Sequence, residues 1–160
     1  MGSFITDFVS NVWIATIFMI VAGIFIRADK SSLISLTVWT FAQLLMVRIA
    51  VDINAVEDIE TKRHLWYTTW IVFDAISIWL LLLIHQKLGI ARSKLSTFIA
   101  ISFFSLLIIQ AARYIDRMVL ETNLLGGLYK YCVPAIEVSV SLMALFWLYT
   151  TIRTKERVTQ

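Results

Sequence analysis

Residues 66–86 read WYTTWIVFDAISIWLLLLIHQ, with one carboxylate, Asp74, and neither lysine nor arginine. Coiled as a helix at about 1.5 Å per residue, this stretch matches the roughly 30 Å hydrocarbon core of a bilayer. Four further apolar runs flank it, at 8–26, 33–51, 95–112 and 128–150. All six lysines (Lys30, Lys62, Lys87, Lys94, Lys130 and Lys155) fall between the runs or at their ends, where an ammonium reaches water. The pattern predicts an all-α, polytopic transmembrane helical bundle of about five spanning helices.

Composition supports that reading. Of 160 residues, 59% are hydrophobic and 16% charged, against about a quarter charged in soluble domains. So few charges would not cover a soluble fold of this size, which makes lipid the solvent. The connecting segments are short and none is Pro- or Ser-rich, so residues 1–160 form a single transmembrane domain, with a polar tail after Thr150. The first run reads as a retained helix, because no Lys or Arg precedes Arg27 and the run exceeds a signal peptide's core of about 7–15 residues.

The cations set an expected orientation. One side would hold Arg27, Lys30, Lys87, Arg92, Lys94, Arg153, Lys155 and Arg157; the other has Lys62, Arg63, Arg117 and Lys130 beside the acidic stretch Glu57-Asp58-Ile59-Glu60. This places the N-terminus outside and the C-terminus in the cytoplasm, in a bacterial inner membrane or a plasma membrane. Trp66, Tyr67, Trp70, Tyr114, Tyr129 and Tyr131 would form the outer aromatic belt. Trp39 and Trp79 lie deeper and read as packing residues.

A shift of 62 positions lays the second run on the fourth, matching Ser31, Leu33, Phe41, Leu44, Leu45, Ala50 and Ile53 with Ser93, Leu95, Phe103, Leu106, Leu107, Ala112 and Ile115. A shift of 63 pairs Asp74 with Glu137. The chain thus reads as one leading helix followed by two similar hairpins, 31–87 and 93–155, a kind of repeat found in some transporters.

Polar groups within the runs are the candidate site, since a charge deep in lipid costs at least about 2.5–3.5 kcal/mol. Helical rise places Arg48, Asp74, Gln110, Arg113 and Glu137, with Asn11, toward the outer side. The simplest pairing joins Arg48 to Asp74 and Arg113 to Glu137. Asp52 and Asp116 compete from the same helix faces as the arginines. Pro134 removes a backbone hydrogen bond one turn before Glu137 and predicts a hinge there.

Other chemistry finds little support. No lysine sits inside a run to form a retinal Schiff base. His64 and His85 are about 30 Å apart along one helix, too far to share a haem iron within one chain. His85 reads as an interfacial cap. Cys132 is alone, so no CxxC site or internal disulfide forms, and no zinc spacing, P-loop, GxGxxG or GxSxG pattern occurs. The expectation is a non-enzyme without cofactor or metal and without a nucleic-acid partner. GxxxG is absent, although Ser139, Ser141 and Ala144 are small enough for close helix packing. The leading functional reading is a small subunit acting by assembly, as a homo-oligomer or as the anchor of another protein. Its rival is an ion or proton channel, or a small transporter, using the charged cluster.

Overall fold

The computed structural model describes residues 2–158, with side chains from 13 to 157. It is helical, without strands among the described residues. The elements are α1 (Gly2–Phe25), α2 (Lys30–Asn54), α3 (Ile59–Leu88), α4 (Lys94–Tyr114) and α5 (Gly126–Val158). A π turn, Ile115–Val119, prolongs α4. Four helical segments are long and apolar enough to cross a membrane: Lys30–Asn54, Ile59–Leu88, Lys94–Val119 and Gly126–Arg157. In α1, the apolar part among the residues with described side chains is Trp13–Phe25.

The helices outrun their apolar cores because side chains cap them. Asp29 accepts from the Ser32 N–H, Asp58 from that of Thr61, and Ser93 from that of Ser96, each satisfying a donor that the first turn leaves open. Thus α3 starts seven residues before the apolar stretch. It ends at Gly89, whose φ of 61° is left-handed, while the Ile90 N–H closes onto the His85 carbonyl, as helix-ending glycines do.

The Asp58 cap titrates. Hydrogen bonds from Thr61, side chain first and backbone second, hold its carboxyl below the usual range. A depressed folded value means that the cap stabilises above the ordinary carboxylate range and is lost as pH falls through that folded value. Acidification below about pH 4 is therefore expected to fray the start of α3. Asp58→Ala should do so at neutral pH, and amide exchange over residues 59–63 reads both.

Packing follows a ring, α1 on α2, α2 on α3, α3 on α4, α4 on α5 and α5 back on α1, with α2 also touching α4. Its apolar centre includes Leu36, Trp39, Leu81, Ile99, Phe103, Val140 and Ala144, each at most 2% exposed. Trp39 and Phe103 meet at 4.8 Å between ring centroids. The Trp79 expectation is corrected: its ring is 60% exposed and points out of the bundle. A helix apolar on every side gives no sequence signal of which face turns inward. Buried hydroxyls tie α1 to α2 through Thr16 and Thr40, 2.7 Å apart. The ring closes where Trp147 Nε1 donates to Asp29 at 2.8 Å and Lys155 Nζ donates to the Ile26 and Arg27 carbonyls.

Candidate functional site

The inward stripe of α3 is Tyr67, Trp70, Asp74, Ser77, Leu81 and His85, recurring every three or four residues as a buried helix face does. Asp74 is fifteen residues from Ile59 and fourteen from Leu88, at the midpoint of α3. It is 1% exposed, and neither carboxyl oxygen has a hydrogen-bond partner. The half-buried Glu137 of α5 acts on it electrostatically. The two acids that the 63-residue shift aligns thus lie within electrostatic reach of one another.

The predicted cross-helix ion pairs do not form. Arg48 instead reaches Asp52 one turn on, at 3.5 Å, with both side chains about two-thirds exposed. That half of α2 has left the core: Phe41, Val47 and Val51 are exposed, and Ile53 alone is buried beyond Ala42. Arg113 pairs with Asp116 rather than Glu137 and donates also to Asn123 Oδ1. The π turn and the following loop fold around Asp116, whose carboxylate further accepts from Thr122 Oγ1 and from the N–H groups of Leu124 and Leu125. Its hydrogen bonds lie within its own hairpin turn, and none goes to the acid pair. Partners three or four residues apart on a helix are already adjacent, whereas a cross-helix partner depends on rotation and depth.

Gln110 is placed near the acids but in another role. Its Oε1 accepts from Tyr129 Oη at 3.0 Å, and Tyr129 Oη accepts from Trp66 Nε1 at 3.3 Å. Tyr67 packs edge-on against Tyr129, and Glu137 also acts on Tyr129. Tyrosine and tryptophan thus link α3, α4 and α5 on the Glu57–Glu60 side of the acid pair. Helix α5 continues through Pro134, where the missing N–H leaves the Lys130 carbonyl without its helical donor. The Asn11 side chain lies outside the described residues.

Sequence reasoning missed a second polar cluster, at the end that carries Arg27, Lys87 and Arg92. His85, read as an interfacial cap, is 4% exposed. Its Nδ1 lies 2.8 Å from the Leu81 carbonyl, which can only accept, so Nδ1 carries a proton. Ser31 Oγ is 2.8 Å and Ser96 Oγ 3.3 Å from Nε2. The Ser93 N–H donates to Ser31 Oγ, and the Ser93 and Ser32 hydroxyls meet at 2.8 Å. The repeat carried a signal for this cluster, since Ser31 and Ser93 are equivalent under the 62-residue shift. At one aligned pair the equivalence stops at sequence: Phe41 is 58% exposed and Phe103 1%.

Chemically, the two clusters differ. The histidine cage has a partner for each ring nitrogen. The acid pair offers acceptors without a donor, so it suits a cation or a hydrogen-bond donor. No family model matches this chain, and no curated protein or solved structure matches it either.

Proposed function

We propose that this chain crosses the bilayer five times, N-terminus outside, and carries a small cation through a site formed by Asp74 and Glu137. The support is one observation: a carboxyl buried at the midpoint of a membrane-length helix, beside a second acid and without a basic partner. A structural role for these acids rested on their pairing with Arg48 and Arg113. Those arginines are engaged elsewhere. Intramembrane acids without such partners belong with ion or proton pathways. The eight cations at the Arg27 end favour a cytoplasmic position for that end.

Liposomes holding the purified protein test this reading. Wild type is expected to carry proton or alkali-cation flux, and Asp74→Asn and Glu137→Gln to reduce it at least about tenfold, the scale on which a positioned acid–base group acts, while remaining folded. Wild-type flux no greater than that of empty liposomes sinks the proposal.

A second reading, assembly with another copy or a different membrane subunit, draws on the outward half of α2. Phe41, Val47 and Val51 are exposed there. Ala144, by contrast, is fully buried inside the bundle, so that small residue serves internal packing. The mass of the detergent-solubilised protein, corrected for bound detergent, separates monomer from assembly.

A further inference from the structure

The cation-carrier reading leaves open which cation binds and from which side. Resting on that reading, we propose that Asp74 is a proton-binding site that, in the conformation seen here, faces the Tyr129 side and is closed to the His85 side by the packed side chains around Leu81.

The ligand follows from what surrounds the acid. Hard metal ions take six or more oxygens from carboxylates, carbonyls and hydroxyls. Asp74 and Glu137 supply at most four, and among the described residues no group of three or more His, Cys, Asp or Glu is arranged for a metal. Neutralisation must then come from something that needs no shell of ligands. A buried, unpaired carboxylate resolves its desolvation by taking up a proton.

Among the described residues, no neighbouring cation neutralises Asp74. From α4 comes Arg113, committed to Asp116 and Asn123. From α2 come Arg48 and Asp52, paired with each other on the exposed side. From α5 come Glu137, and Lys130 at the far end beside Tyr131.

The side chains on the two sides of Asp74 differ. Toward the acidic loop lie the half-buried Glu137 and the Trp66–Tyr129–Gln110 chain, in which the Tyr129 hydroxyl bonds both of its neighbours. Toward the basic end, His85 lies eleven residues away on the same stripe, or about 16 Å. Between them the stripe carries Ser77 and then Leu81, and Leu81 belongs to the apolar centre with Leu36, Ile99, Val140 and Ala144, each at most 2% exposed. A constriction of such side chains excludes water, and with it protons.

Labelling with dicyclohexylcarbodiimide, which attacks protonated carboxyls in apolar surroundings, tests the proton site without relying on flux. Peptide mass spectrometry is expected to find the adduct on Asp74, several-fold more at about pH 6 than at about pH 9, and unchanged by Na+, K+ or Mg2+. Absence of the adduct at every pH, or protection by one of those ions, overturns it. The closure is tested by Leu81→Ser in liposomes, expected to raise proton flux at least about tenfold and to lose that gain in Leu81→Ser/Asp74→Asn. Unchanged flux, or a gain that survives Asp74→Asn, refutes the closure. Asp74 labelling together with a silent wild type and a leaking Leu81→Ser keeps the proton site and removes only the carrier reading.

Discussion

Asp74→Leu is expected to make the protein more stable and inactive. Leucine branches at the same carbon as aspartate and puts methyl groups where the carboxyl oxygens stand. The wild-type oxygens are buried and unpartnered, and a polar group in that condition costs about 1–3 kcal/mol. Removing it should stabilise the fold by roughly 2 kcal/mol, which at this chain length raises the melting temperature by about 5 °C. Cation flux should vanish in the same variant. A residue that held helices together through an ion pair would behave in the opposite way, because losing one partner of a buried pair costs about 3–5 kcal/mol. Thermal unfolding in detergent, followed by tryptophan fluorescence, decides it: a lower melting temperature for Asp74→Leu means that the acid is structural.

Asp116→Ala should give the largest destabilisation of any single charge removal. The carboxylate accepts from Arg113, the Thr122 hydroxyl and two backbone N–H groups of the loop. Its removal strands a guanidinium that is 8% exposed and whose Nε already lacks a partner. The loop from Leu120 to Leu125 also loses the centre it is wrapped around. A fall of roughly 10 °C in melting temperature is expected. Arg48→Ala should move it little, since the Arg48–Asp52 pair is largely exposed and surface pairs contribute little. Equal effects from the two substitutions would contradict the assignment of one pair as buried and the other as superficial.

The contrast between those pairs shows where sequence stops being informative. The apolar runs and the positions of the lysines were legible because lipid excludes charge along the whole length of a helix. The helix ends were not, since hydropathy marks the water boundary whereas Asp29, Asp58 and Ser93 carry the helices past it. Asp74 and Glu137 were legible as acids on helices that the repeat makes equivalent. Their lack of a basic partner was hidden: both arginines had one acid on their own helix and another across the bundle, and spacing alone does not rank the two. His85 was misread for a related reason. A histidine near a helix end looks solvated until the serines of two other helices are known to meet there.

The closure of the ring between Trp147, Lys155 and the α1–α2 loop bears on how the chain is made. These contacts join residues 118 to 129 positions apart, so they become available only when synthesis is nearly complete. Until then α1 has α2 as its neighbour but not α5, and Asp74 has entered the bilayer without Glu137 beside it. A ribosome stalled before residue 137 would leave an open assembly whose third helix carries its acid without α5 to cover it. A quality-control protease that surveys membrane helices for uncovered acids would meet Asp74 in that interval.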